Sequence, residues 1–188
     1  MRSLPYLQRS LPASLLAFPL LMGMAALFGF LNCSSGPKWP SLLQEIRSKY
    51  PGVSQISTET LNTWLADPDS LNRPILLDTR APDEFAVSQL RGAELAPDEQ
   101  TALRLLQEHP KNQRIVLYCS VGYRSSGMAE KLMKDGFTNV SNLEGSLFAW
   151  ANEGRPVYRG DRQVEAVHPY DTNWGKLLKR NLWAMTPE

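Results

Sequence analysis

Short apolar runs alternate with helix-like segments through the middle of the chain, and this alternation constrains the fold more than any other feature. The clearest run is Arg114–Tyr118 (RIVLY), a second is Pro74–Asp78 (PILLD), and a last strand is predicted at Val140–Leu143. Unbroken apolar runs of this length are typical of strands buried on both faces. Strands that alternate with helices predict an α/β fold, a single domain with a mostly parallel central sheet and helices on both faces.

Shorter elements are predicted around these runs. The expected brief strands and helices are, in chain order, a helix at Ser41–Tyr50, a strand at Val53–Ile56, a helix from the N-cap Ser57 through Leu65, a helix at Pro82–Leu90, a strand at Gly92–Ala96, and helices at Asp98–Glu108, Ser125–Asp135 and Gly145–Asn152. In the helix that ends before Gly136, we expect Met128, Leu132 and Met133 to face the core.

Composition excludes several classes of function. The 188 residues carry a formal net charge of +1. This near-neutral charge gives no sign of the basic stripe expected of a nucleic-acid-binding protein. The cysteines are Cys33 and Cys119, and the histidines are His109 and His168. These four residues show no metal-ligand spacing, so we expect neither a metal nor another cofactor.

The N-terminal segment predicts export or membrane attachment. Ala13–Leu31 is a run of 19 uncharged, mostly apolar residues, preceded by Arg2 and Arg9. The segment fits a cleaved signal peptide ending near Ser35, a lipoprotein signal with its lipid on Cys33, or an uncleaved membrane anchor. All three alternatives place the following domain outside the cytoplasm, in the periplasm or beyond it.

Cys119 occupies a position that favours chemistry over simple burial. It follows the Arg114–Tyr118 strand directly and precedes a loop that opens a helix. Ligands of open α/β sheets bind beyond the carboxyl ends of the strands, where loop N–H groups and a helix dipole stabilise an anion. Gly122 lets the backbone curl, and Arg124 adds a positive charge that can bind anionic substrate oxygens bidentately. We therefore predict that Cys119 is a nucleophilic thiolate.

Three blocks of sequence, in order, resemble the rhodanese-like family. The blocks are Asp78-Thr79-Arg80 with Asp83-Glu84-Phe85, then Cys119–Ser125 (CSVGYRS), and finally Asn142-Leu143-Glu144-Gly145 with Trp150 and Gly154-Arg155-Pro156. The match covers about residues 53–158, little more than half of the chain. Three blocks at the right spacing are far more specific than a lone motif.

The resemblance implies a sulfurtransferase that works through a covalent intermediate. The Cys119 thiolate would take a sulfane sulfur from a donor such as thiosulfate or a persulfide, and the resulting persulfide would pass it to a thiol, cyanide or a protein acceptor. The residues expected to bind substrate are Ser120, Val121, Gly122, Tyr123, Arg124 and Ser125. Asp78 and Arg80 are expected to support the scaffold.

Two positions depart from the family pattern. Gln89 stands where the family often has a histidine, and Ser146 stands where the closing segment usually has a second glycine. Neither change touches the nucleophile.

Two other functions compete with sulfur transfer. Cysteine-dependent phosphatases space their residues as Cys-x5-Arg, whereas four residues separate Cys119 from Arg124, and no aspartic general acid is assignable. The second alternative is a non-catalytic rhodanese-like binding module at the membrane, which a cyanide-dependent thiosulfate assay would distinguish from an enzyme.

The resemblance leaves both ends of the chain uncovered. We predict a signal or anchor with its linker at residues 1–36, a helical lead-in at 37–52, the rhodanese-like domain at 53–158 and a C-terminal extension at 159–188. The extension is too apolar for a disordered segment. Its Trp174, Leu177 and Leu178 fall at helical spacing, and we expect it to pack back over the domain. The alternative is a membrane or partner contact through Trp183 and nearby basic residues.

Overall fold

The computed structural model describes residues 36–187, and a five-stranded parallel sheet forms its centre. The strands are β1 (Ser54–Ile56), β2 (Ile75–Asp78), β3 (Glu94–Leu95), β4 (Ile115–Tyr118) and β5 (Val140–Leu143), in the order β1-β5-β4-β2-β3. Every neighbouring pair is parallel. The predicted α/β fold is therefore confirmed, and β4 occupies the middle of the sheet with Cys119 at its carboxyl end.

Helices cover both faces of this sheet. They are α1 (Trp39–Lys49), α2 (Thr58–Leu65), α3 (Pro82–Val87), α4 (Glu99–Leu105), α5 (Tyr123–Lys134) and α6 (Ser146–Asn152). Successive side chains of a strand point to opposite faces. Accordingly, Val116 packs in a cluster with residues of α1, α2 and α6, whereas Leu117 packs in a second cluster with residues of α4 and α5.

Three details of the helices differ from the sequence predictions. The helix predicted at Pro82–Leu90 ends at Val87, because Gln89 and Tyr158 exchange backbone hydrogen bonds of 2.7 and 2.8 Å. The helix predicted from Ser125 begins two residues earlier, directly after the left-handed Gly122. The inward orientation predicted for Met133 is wrong: its neighbour Leu132 is fully buried, and one further residue turns Met133 outward, where it is 38% exposed.

The C-terminal segment packs on the α6 side of the molecule without forming an α-helix. An antiparallel hairpin of β6 (Val157–Arg159) and β7 (Arg162–Val164) is followed by two 3₁₀ turns, Trp174–Leu177 and Arg180–Leu182. The helix suggested by residue spacing is absent from this described segment, because tertiary contacts override the local pattern. Asn152 of α6 donates to the Leu177 carbonyl at 2.7 Å and accepts from the Lys179 N–H at 2.8 Å.

The predicted export or anchor segment lies outside the described residues, as does Cys33. Its three alternatives therefore stay predictions. No helix within residues 36–187 is long and apolar enough to cross a bilayer.

Candidate active site

The nucleophile predicted from sequence lies in a tight turn between β4 and α5. Cys119 is 1% exposed, and the N–H of Gly122 donates to its Sγ at 3.1 Å. Gly122 has a φ of +105°, and a Cβ there would lie 3.2 Å from the Asn142 amide nitrogen. The backbone conformation requires glycine at this position, and the packing leaves little room for a Cβ.

The charge on the Cys119 thiol is controlled by opposing effects. Burial raises the pKa of the thiol, but the positive charge of Arg124 and the hydrogen-bond donors of Ser125 and Gly122 more than offset it, so the pKa is lowered. The Ser125 hydroxyl is fully buried and has no hydrogen-bond partner of ordinary geometry among the described residues. Its proton is therefore available to turn toward a thiolate, which favours the anionic form.

The start of α6 secures the base of this turn. The Ser146 hydroxyl accepts from the Cys119 N–H at 3.1 Å and donates to the Leu143 carbonyl at 3.0 Å. The carbonyls of Cys119 and Ser120 accept from the first N–H groups of α6 at 3.1 and 3.0 Å. Ser146 has a φ of +50°, unusual for a residue with a Cβ, and its two hydrogen bonds offset that strain. Sequence reasoning noted Ser146 only as a departure and missed this role.

Arg124 has a partner that the sequence did not reveal. Its two Nη atoms donate to the Glu84 carboxylate at 2.7 and 2.8 Å, and the Ser120 hydroxyl donates to the same carboxylate at 2.7 Å. Burial raises the pKa of Glu84, but Arg124 dominates and lowers it to about 2, so the carboxyl is ionised. The sequence suggested that Arg124 binds an anionic substrate through both Nη atoms. In the structure, both Nη atoms donate to Glu84 instead.

Asp78 and Arg80 form a buried ion pair away from the cavity. Both side chains are 0% exposed, with Arg80 Nη2 2.7 Å from an Asp78 carboxylate oxygen. The same Nη2 donates to the Ser88 carbonyl at 2.6 Å. This pair ties the end of β2 to the chain that follows α3, a geometry that agrees with a supporting role.

A cavity of about 150 Å³ opens at Cys119. Its lining residues are Cys119, Ser120, Val121, Tyr123, Arg124, Tyr170 and Trp174. Gly122 and Ser125, also predicted to bind substrate, are not among them. Tyr170 and Trp174 come from the C-terminal segment and were missed at the level of sequence, where only the density of aromatic residues in that segment hinted at them. No group of three His, Cys, Asp or Glu side chains within residues 36–187 is arranged to hold a metal ion.

Comparison with known proteins agrees with this geometry. Residues 57–153 match the family described as rhodanese-like domain. A sulfurtransferase of Allochromatium vinosum is 35% identical over 105 residues, covering 56% of this chain and 94% of the relative. The probable adenylyltransferase/sulfurtransferase MoeZ of Mycobacterium tuberculosis is 33% identical over 104 residues, which cover 55% of this chain but only 26% of the relative.

A solved structure extends the agreement in fold. The crystal structure of thiosulfate sulfurtransferase from Pseudomonas aeruginosa superimposes with a TM-score of 0.55 at 18% identity, covering 73% of this chain and 25% of that one. At this identity the likeness concerns the fold alone.

Proposed function

The chain belongs to the rhodanese-like domain family, and from that premise we propose that it transfers sulfane sulfur through a persulfide on Cys119. One observation carries the proposal: the Cys119 Sγ accepts the Gly122 N–H at 3.1 Å in a turn that faces a cavity. An N–H aimed at the sulfur favours the thiolate, which is the nucleophilic form.

The proposed reaction has two balanced steps. The Cys119 thiolate attacks the sulfane sulfur of a donor, a new S–S bond forms, and the donor's bond to that sulfur breaks. With thiosulfate as donor, the leaving group is sulfite, which departs with the electron pair. An acceptor thiolate or cyanide then attacks the outer sulfur of the persulfide and releases the Cys119 thiolate. No external oxidant or reductant takes part.

Arg124 supports the first step through its charge. Its guanidinium is held by Glu84 and Ser120, and its field lowers the pKa of the Cys119 thiol. This arrangement also argues against the phosphatase alternative. A cysteine-dependent phosphatase needs the arginine fork for the phosphate, whereas both Nη atoms of Arg124 donate to Glu84.

Mass spectrometry of the intact protein tests the proposal. After incubation with thiosulfate, we expect one added sulfur atom on Cys119, which a thiol or cyanide removes. Cys119→Ser should remain unmodified and inactive while it keeps its fold, and Cys33→Ser serves as the matched control that still takes up sulfur. Sulfur found only on Cys33, or none on either cysteine with both thiosulfate and an organic thiosulfonate as donor, would refute the proposal, and the non-catalytic binding module would then be favoured.

We also propose that this chemistry takes place outside the cytoplasm, on the strength of the uncharged Ala13–Leu31 segment. Fractionation of cells that express the full chain should recover it in the exported or membrane fraction. Deletion of residues 1–36 should leave the protein inside. Loss of membrane attachment in Cys33→Ser would identify a lipoprotein, and recovery of the full chain in the cytoplasm would contradict the proposal.

A further inference from the structure

Two aromatic residues from outside the family-matched segment line the cavity at Cys119. The family match ends at residue 153, whereas Tyr170 and Trp174 lie well beyond it. The Tyr170 side chain is part of the cavity wall even though the residue is 47% exposed. A residue that lines the cavity and is also open to solvent is placed to contact whatever enters.

Local hydrogen bonds hold both aromatic residues in place. Tyr170 has a φ of +67°, and its N–H donates at 3.0 Å to Nδ1 of the buried His168. An Asp171 carboxylate oxygen accepts the N–H of Trp174 at 2.7 Å. The Tyr170 ring also lies 5.0 Å from the Arg124 guanidinium carbon, a cation–π distance. These contacts fix the backbone at both residues and place the Tyr170 ring beside Arg124, which reduces the entropy lost on binding.

The rest of the cavity is poorly suited to a doubly charged donor. Among the residues that line it, Arg124 is the basic side chain, and both of its Nη atoms donate to Glu84. Lys49 contacts the hydroxyl and ring of Tyr123 but does not line the cavity. The remaining large side chains of the lining are the apolar Val121 and the aromatic rings of Tyr123, Tyr170 and Trp174. Thiosulfate would bring two negative charges to a thiolate with little compensation from side chains.

We infer that Tyr170 and Trp174 determine donor specificity, by binding the flat apolar group of an organic sulfane-sulfur donor. The inference rests on the proposed sulfur transfer at Cys119 and names the class of donor for it. The rings would contact the organic group while its terminal sulfur reaches Sγ. Contact with an aromatic ring adds to the gain from burying apolar area, so an aryl donor should be preferred over an alkyl donor of equal charge.

Two thiosulfonates provide a matched pair of probes. Benzenethiosulfonate and methanethiosulfonate carry the same charge and the same type of reacting S–S bond, and they differ in the organic group, which is phenyl in one and methyl in the other. In each case the Cys119 thiolate takes the terminal sulfur, the S–S bond breaks, and a sulfinate leaves with the electron pair. Values of kcat/KM should be measured for both, and for thiosulfate, with cyanide as acceptor.

In the wild-type chain, we expect kcat/KM for benzenethiosulfonate to be about ten times that for methanethiosulfonate. Tyr170→Ala should lower this ratio by about two- to fivefold, and Tyr170→Phe should retain it because the ring remains. Trp174→Ala should lower it as well, with Trp174→Phe as a milder variant if the alanine form does not fold. Met185→Ala, an exposed apolar residue of the same segment that does not line the cavity, should keep the wild-type ratio.

The outcomes separate the inference from the proposed function. A wild-type ratio near one, or a ratio that Tyr170→Ala leaves intact, would overturn the inference while sulfur transfer at Cys119 stands. A higher kcat/KM for thiosulfate than for benzenethiosulfonate would overturn it in the same way. Failure of every donor to place sulfur on Cys119 would overturn both.

Discussion

The Glu84 carboxylate forms a bidentate ion pair with the Arg124 guanidinium, accepting hydrogen bonds of 2.7 and 2.8 Å from its two Nη atoms. Glu84 lies in α3 and Arg124 in the first turn of α5, so the pair joins two helices beside the nucleophile. The Glu84 side chain is only 2% exposed, so without Arg124 its carboxylate would be a buried charge with no cationic partner. Arg124 thus contributes a fixed, already partnered charge to the site.

Removal of the Glu84 charge should release the Arg124 fork for anions. We expect Glu84→Gln to lower the KM for thiosulfate severalfold, because the guanidinium gains freedom to bind sulfonate oxygens. The free energy of unfolding should fall by about 1–3 kcal/mol as charged hydrogen bonds are lost. Steady-state kinetics and urea denaturation measure the two effects. Asp83→Asn, which removes an exposed neighbouring charge, should change neither, and an unchanged KM in Glu84→Gln would contradict the prediction.

Glu84 should also make the stability of the protein depend on acid. Its folded-state pKa of about 2 lies below the ordinary value of 4.5. A carboxyl whose pKa is lower in the folded than in the unfolded chain stabilises the fold at every pH above its unfolded pKa. That stabilisation is lost as the pH falls from about 4.5 toward 2. Denaturation midpoints measured from pH 6 to pH 2.5 should therefore fall less steeply for Glu84→Gln than for the wild type. Parallel curves for the two proteins would show that the Glu84–Arg124 pair contributes nothing over this range.

Arg124 should control the reactivity of Cys119 through charge. In Arg124→Ala the pKa of the thiol should rise, because the largest of the effects that lower it is removed. The rate of alkylation by iodoacetamide as a function of pH reports this pKa. Arg124→Lys should lower the thiol pKa again only in part. An ammonium group cannot reproduce the planar guanidinium that makes two hydrogen bonds to Glu84. Arg104→Ala, an exposed arginine of α4, is the control, and identical pH profiles in all four proteins would refute the prediction.

Ser146 should stabilise the turn that holds the nucleophile. In Ser146→Ala the buried Cys119 N–H loses its acceptor while φ stays positive, so the free energy of unfolding should fall by about 1–3 kcal/mol. Ser146→Gly should cost less, because glycine accepts this φ without strain. Chemical denaturation measures the difference, with the exposed Ser48→Ala as control. Equal losses for alanine and glycine would show that backbone strain at residue 146 is negligible.

Removal of the C-terminal segment should destabilise the domain. Truncation from Gly160 onward removes the buried side chains of Val167, Leu177 and Leu178 from the larger core cluster. Each such side chain stabilises the fold by about 1.5–3 kcal/mol, so Tm should drop by about 10 °C or more. Differential scanning calorimetry of the chain lacking residues 1–36 measures this. Unchanged melting together with weaker liposome binding would support a membrane contact instead.

Much of the fold was predictable because its signals are local. The runs that became β2 and β4 lie inside a sheet that helices cover on both faces, and such strands show as unbroken apolar stretches. Gly136, which has a positive φ, marked the end of α5 correctly, whereas the predicted start at Ser125 was two residues late. The orientation of Met133 and the absence of a C-terminal α-helix were not predictable, since both depend on which surfaces meet.

The sequence itself determined where Cys119 lies, after an apolar strand and before Gly122 and Arg124. The signals for the strand, the turn and the helix all occur within a few residues of it. Only the tertiary structure decided the partners of that turn. Glu84 lies 40 residues from Arg124, Ser146 lies 27 from Cys119, and Tyr170 reaches the cavity from beyond the family-matched segment. Contacts over such separations depend on how helices and the terminal segment pack on the sheet, and no local pattern encodes that packing.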